Sequence, residues 1–135
     1  MIVRIQKEPI DISELMTSVR NHDSGAVVTF QGTVRKFSER TEVVRLFYES
    51  YLEMALTSMK DIAEEARKTF GLSDYAVVHR IGDVELGEDS VVVAVSSPHR
   101  DEAFRSCKFI IDRIKNETPI WKKDISPEGH GSWQT

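Results

Sequence analysis

Apolar positions along the chain follow two rhythms, one of period two and one near 3.6, and their alternation predicts the elements. Residues 2–5 (IVRI) read as a first strand. Asp11-Ile-Ser-Glu14 has the form of a capping box, with Asp11 as N-cap and Glu14 reaching back to it. Ile12, Leu15, Met16 and Val19 follow at helical spacing, so a short helix is predicted to about Asn21. His22-Asp-Ser-Gly25 reads as a turn. Residues 26–34, rich in Val, Thr and Phe, read as a strand in which Gly32 marks a bulge or a close backbone approach. Residues 35–41 (RKFSERT) are polar and without period, which predicts a mobile loop, and 43–49 read as the returning strand.

Ser50 and Glu53 form a second capping box. It opens a long helix with Leu52, Ala55, Met59, Ile62, Ala63, Ala66 and Phe70 on one side, ended by Gly71. Residues 75–81 and 90–97 are two more strands, joined by the short connection GDVELGED. Ser97-Pro98 predicts a helix start, with Ser97 as cap and Pro98 at the first helical position. Ala103, Phe104, Cys107, Ile110, Ile111 and Ile114 line the buried face of that helix, and Thr118-Pro119 breaks it. Residues 120–125 then read as extended, and 127–131 (PEGHG) as a turn. Two ββ pairs and three helices in mixed order predict an α+β fold with an antiparallel sheet.

A length of 135 residues fits one domain over 1–135. Apolar residues at 40% and charged residues at 30% describe a chain able to build a core. The run VVVAV at 91–95 falls far short of the ~18–20 apolar residues that span a bilayer. The N-terminus, MIVRIQKEPI, lacks a signal-peptide pattern, so a cytoplasmic protein is expected. Cys107 is the single cysteine, which rules out an internal disulfide and a CxxC knuckle. Net charge is −4, from 18 basic and 22 acidic residues, which argues against a general nucleic-acid binder. Charge is uneven, however: residues 99–123 hold seven basic against four acidic residues. A local excess of positive charge in an acidic chain suits a small anionic ligand.

Three features could carry chemistry. His99 and Arg100 fall in the first turn of the predicted third helix, where cations oppose the helix dipole by roughly 0.3–1 kcal/mol. Such placement builds an anion pocket from free N–H groups and positive side chains, unless Arg100 simply pairs with Asp101 or Glu102. Lys115 closes the same helix, and the Pro119 turn returns Lys122 on an extended segment, with Trp121 packed on the other side. Two amines folded together repel each other, and a lysine that sheds its proton more readily can act as acid, base or nucleophile. Arg35 stands where a strand opens into a polar loop, and a guanidinium there can grip a phosphate with two parallel hydrogen bonds. Each of these also fits an ordinary solvated cation. Cys107 sits on an apolar helix face and reads as structural. His22, His79, His99 and His130 show no metal-ligand spacing, so no metal and no resident cofactor are expected.

These segments together resemble a known family. Gly25-Ala-Val-Val-Thr-Phe30 with GTVR, and Tyr48-Glu49-Ser-Tyr51-Leu-Glu-Met54-Ala55, resemble the first half of molybdopterin synthase large subunits. His79-Arg80-Ile-Gly82, Ser96-Ser-Pro-His99-Arg100 with Ala103-Phe104, and Lys115 through PIWKK and Pro127-Glu-Gly129 to Trp133 resemble the second half. The resemblance implies an α/β-hammerhead fold and a homodimer, with a ubiquitin-like sulfur carrier docked at each end of a heterotetramer. The carrier's C-terminal Gly-Gly thiocarboxylate would deliver two sulfurs in turn to cyclic pyranopterin monophosphate, forming the molybdopterin dithiolene of the molybdenum cofactor. Lys115 and Lys122 match the family's catalytic lysines. Arg35, His99 and Arg100 match substrate-anion binders, with Thr33, Val34, Lys123 and Asp124 lining the pocket. Part of each pocket is expected from the partner subunit. Two residues follow Trp133 where relatives often carry a basic tail, so Lys123 or His130 is expected to replace any contact from it. The carrier is expected to be a separate chain.

Two other readings fit the residues without the resemblance. A pterin- or nucleotide-phosphate binding module would use Arg35, His99 and Arg100 and leave the lysines idle. An oligomeric scaffold would turn the basic patch to an acidic protein partner.

Overall fold

The computed structural model describes residues 1–37 and 41–133. Among them, eight strands and three helices form two sheets with helices on both faces of the first. That sheet takes β1 (Ile2–Gln6), β4 (Asp74–Arg80), β6 (Asp89–Ser97) and β2 (Ala26–Thr33), in the order β1-β4-β6-β2. β1 runs parallel to β4; the other pairs are antiparallel. On one face, Leu15 and Val19 of α1 (Ile12–Val19) pack on Ala76, Val78, Val92 and Ala94. On the other, Met59, Ile62, Ala63 and Ala66 of α2 (Leu52–Phe70) and Ile110 and Ile114 of α3 (Arg100–Glu117) pack on Val77, Val91, Val93 and Val95. Covering on both faces explains why 91–95 is continuously apolar instead of alternating.

The second sheet takes β5 (Gly82–Glu85), β3 (Arg45–Ser50), β7 (Ile120–Ile125) and β8 (Gly131–Trp133), in the order β5-β3-β7-β8, all antiparallel. Its small core is Val34, Val43, Leu46, Tyr48 and Val84, with Ile81 and Ile120 against it. The α+β class, the three helices and the dominance of antiparallel pairing agree with the sequence.

Several local expectations are corrected. The strand read at 43–49 does not return along β2. It pairs with β5 and β7, because the bulge between Gly32 and Thr33 turns the chain out of the first sheet. A Cβ on Gly32 would lie 2.7 Å from Val91 Cγ1, so this position needs glycine. The connection GDVELGED holds β5, whose one buried side chain, Val84, is too short a pattern to announce a strand. β8 likewise extends past the expected turn. α1 stops at Val19. Its Asp11 cap forms as expected at 3.1 Å to Glu14 N, but the Glu14 side chain pairs with Arg4 at 2.9 Å instead of closing the box.

The box at Ser50 is absent: Tyr51 is the N-cap of α2 without a side-chain bond, and the Ser50 hydroxyl is buried and unpartnered. Ser97 does not cap α3. It ends β6, His99 is the N-cap, and the Ser97 hydroxyl donates to the His99 carbonyl. Leu52, the first residue of α2, and Phe104, the fifth of α3, were expected inside but are mostly exposed. Gly71 does end α2, in the left-handed conformation (φ +70°) that glycine adopts freely. Of the predicted loop at 35–41, Ser38, Glu39 and Arg40 lie outside the described residues, while Phe37 bridges to Glu42.

Candidate active site

α3 sets the spacing of the candidate residues. Arg100 opens it and Lys115 lies in its last turn, fifteen residues on, which separates their backbones by about 22 Å. β2 and β6 lie antiparallel beneath it, with Ala26 opposite Ser97 and Thr33 opposite Asp89. The start of β2 is therefore beside the start of α3, and Thr33, Val34 and Arg35 lie at the far end, roughly 23 Å away along the strand. Within one chain the predicted site is thus divided. His99 and Arg100 occupy one end; Lys115, Lys122 and the Thr33–Arg35 stretch occupy the other.

At the first end, His99 has extended backbone (φ −126°, ψ 151°) and makes no side-chain cap bond. Among the described residues neither its ring nor the Arg100 guanidinium has a hydrogen-bonding or ionic partner, and both residues are exposed. The expected alternative, an Arg100 pair with Asp101, is not formed; Asp101 faces Arg105 at 3.5 Å.

The other end is built by the chain reversal after α3. Thr118 N–H closes the helix on the Ile114 carbonyl at 3.1 Å, and Ile120 N–H turns back to the Thr118 carbonyl at 2.8 Å. The chain then enters β7 with Lys122 directly across from Tyr48 and Asp124 across from Leu46. Directly opposed residues share a face, so Lys122 and Asp124 lie on the side of Tyr48. Trp121 and Lys123 lie on the reverse side, where Lys123 Nζ sits 4.6 Å above the Trp133 ring and Trp121 meets Tyr51 edge-on at 4.8 Å. That reverse side carries an open groove of about 330 Å³ lined by Glu49, Tyr51, Trp121 and Trp133.

Four expectations are therefore modified. Lys123 does not share a face with Lys122. Trp121 is half-exposed. Val34 is 3% exposed in the second core, and its backbone is already bonded to the Glu88 carbonyl (3.0 Å) and the Gly87 N–H (2.8 Å), so it offers no free group. Asp124 is buried beside Tyr48 and not on an open pocket wall. Thr33 and Arg35 are exposed at the strand end.

Sequence reasoning passed over two buried groups at this end. His79 is 7% exposed at the end of β4. By alternation along β4 it continues the row Tyr75–Val77, which faces α2 and α3. Its Nδ1 is 2.7 Å from the Arg80 carbonyl, and a carbonyl only accepts, so Nδ1 carries the hydrogen. Its ring meets Tyr48 edge-on at 5.0 Å. Burial pushes the imidazole pKa down to about 4, the Arg80 carbonyl opposes that, and the nearby Lys115 charge adds to it. Burial also raises the Tyr48 phenol, with Ser90 opposing and the Asp124 charge adding. The signal for His79 was the two-residue period of YAVVHR, which places a histidine in a buried row.

Cys107 is buried, as expected, and burial pushes its thiol up to about 11, which leaves it protonated and shielded at neutral pH. No group of three His, Cys, Asp or Glu side chains among the described residues is arranged to hold a metal ion. No helix among them is long and apolar enough to cross a membrane.

Comparison with known proteins adds a second line. The family model described as "MoaE protein" matches residues 5–117. A molybdopterin synthase catalytic subunit from Thermoplasma volcanium is 50% identical over 97% of this chain and 96% of its own. The crystal structure of molybdopterin synthase from Staphylococcus aureus superposes with a TM-score of 0.93 at 36% identity, covering 98% of this chain and 96% of that one. A chain from a Helicobacter pylori complex of subunits 1 and 2 of molybdopterin-converting factor shares the fold, with a TM-score of 0.80 at 22% identity over 100% of this chain and 91% of that one.

Proposed function

The chain belongs to the MoaE family of molybdopterin synthase catalytic subunits, in molybdenum-cofactor biosynthesis, and from that premise we propose that it is a cytoplasmic sulfurtransferase whose site is shared between two copies. The substrate is cyclic pyranopterin monophosphate. A separate ubiquitin-like carrier brings sulfur as a C-terminal Gly-Gly thiocarboxylate, and two such deliveries form the dithiolene. The Helicobacter pylori complex of two subunits supports a small partner chain.

The observation that carries this reading is the division of the charged groups along α3. The anion-binding pair and the lysine pair are about 22 Å apart in one chain, too far to hold one small substrate. A two-fold dimer that apposes unlike ends makes two complete sites. In each, Arg35 of one copy and His99 and Arg100 of the other hold the phosphate by charge-assisted hydrogen bonds. Lys115 and Lys122 deliver protons to the departing oxygens as the thiocarboxylate sulfur adds, and water then cleaves the acyl–sulfur bond, leaving the sulfur on the pterin and releasing the carrier as its carboxylate. With sulfur arriving on the carrier, the buried Cys107 thiol has no part in the chemistry.

The test is reconstitution: purified protein, thiocarboxylated carrier and the pyranopterin are mixed and dithiolene is assayed. Product above the carrier-only background is expected. Tight pyranopterin binding without product would instead make the chain a binding module.

A further inference from the structure

Arg35 is an anion-binding candidate at the lysine end of the molecule, and its backbone is pinned on both sides. Before it, Val34 N–H donates to the Glu88 carbonyl at 3.0 Å, and Gly87 N–H donates to the Val34 carbonyl at 2.8 Å. After it, the Lys36 carbonyl accepts Val43 N–H at 2.7 Å. The Arg35 side chain is exposed and has no hydrogen-bonding or ionic partner among the described residues. A fixed backbone under a free guanidinium suits a preorganised anion ligand. The bulge where the chain leaves the first sheet helps to fix it. Gly32 pairs with Val91 and Thr33 with Asp89, so Ser90 is the extra residue, skipped by the ladder. Ser90 is 5% exposed, and its hydroxyl donates to the Gly32 carbonyl at 3.0 Å. The adjoining turn is tied as well. The Glu88 carboxylate accepts Glu85 N–H at 2.9 Å and the buried Arg80 guanidinium at 3.4 Å, and Arg80 also donates to the Lys7 carbonyl at 3.0 Å.

We propose that Ser90 is a positioning residue for Arg35: its hydroxyl locks the bulge that directs residues 33–35 out of the first sheet, and the Glu88 turn carries that geometry to the arginine. The inference rests on Arg35 holding the substrate phosphate. Register is what the Ser90 bond protects. Side chains alternate along a strand, so a one-residue slip at the bulge turns each following side chain to the opposite side. The hydroxyl ties the skipped residue of β6 to the last carbonyl before the slip point on β2, which holds the bulge at one position. The bonds of Val34 to Gly87 and Glu88 then pass that register to the residue next to Arg35.

Ser90→Ala removes the hydroxyl and Ser90→Thr keeps it. Glu88→Ala loosens the same turn from a partly exposed position. These variants, Arg35→Ala, and Ser90→Ala combined with Arg35→Ala are each assembled with thiocarboxylated carrier. Each is assayed for kcat, for KM toward the pyranopterin and for thermal midpoint. Arg35→Ala is expected to raise KM roughly ten- to a hundredfold. Ser90→Ala and Glu88→Ala should raise it about three- to tenfold at nearly constant kcat, and Ser90→Thr should stay within about twofold of wild type. The combined variant decides the matter: if Ser90 acts through Arg35, losing the hydroxyl adds nothing to KM once the arginine is gone. KM effects that multiply in the combined variant, or lowered midpoints with unchanged KM, would make Ser90 a purely structural residue and overturn the proposal. An unchanged KM for Arg35→Ala has a different meaning: it would sink the phosphate assignment itself, and the proposal with it.

Discussion

The two ends of α3 present cations in opposite ways. At the N-terminal end, His99 and Arg100 project from a helix start into solvent, without partners among the described residues and against the helix dipole. At the C-terminal end, Lys115 is exposed too but sits where the dipole favours it, and its charge acts on the buried His79 ring. The first arrangement leaves cations free for an incoming anion. The second places an exposed amine near a buried neutral ring. α3 keeps these two environments a full helix length apart.

The contrast is sharpest in kinetics. Lys115→Ala is expected to lower kcat by about 10²–10⁴-fold, the range for a lost general acid or base, with pyranopterin binding retained by calorimetry. Arg100→Ala is expected to raise KM by roughly ten- to a hundredfold, for a lost charged hydrogen bond of about 1.5–3 kcal/mol, with kcat changed much less. If the two variants shift the same constant, the division of labour along α3 is wrong.

Stability should also report on the buried ring at the C-terminal end. His79 has a folded-state pKa of about 4, below its ordinary value of 6.5, so between these values the unfolded chain binds the extra proton. The stability from keeping the ring neutral is fully present above about pH 6.5 and is lost as pH falls toward 4, on the order of 3 kcal/mol in all. Chemical denaturation across that range should show the slope, and His79→Gln should flatten it.

Much of this was readable from residue patterns, and the exceptions share a cause. α2 and α3 announce themselves because their apolar stripes run for four or more turns, and β6 because it is covered on both faces. β5 and β8 were hidden because four and three residues cannot establish a period. The start of α3 was misplaced by two residues because Ser97-Pro98 matches a helix-start pattern that the strand ladder overrides: Ser97 stays paired with Ala26. Among the site residues, Lys122 and Asp124 fall on one face and Lys123 on the other by the simple alternation of β7, which the sequence already contains. The separation of His99 and Arg100 from the lysines follows from helix length alone. The role of Tyr48 could not be read, since it depends on two sheets meeting that share no sequence signal.

The most direct test of a shared site is subunit complementation. A chain carrying Lys115→Ala and a chain carrying His99→Ala with Arg100→Ala are each assembled with thiocarboxylated carrier, then unfolded together, refolded and assayed at substrate well below KM. Random pairing makes half the dimers mixed, and each mixed dimer holds one undamaged site, so activity should recover to about a quarter of wild type. Activity no higher than the average of the two parents would mean that each site lies within one chain, contradicting the account.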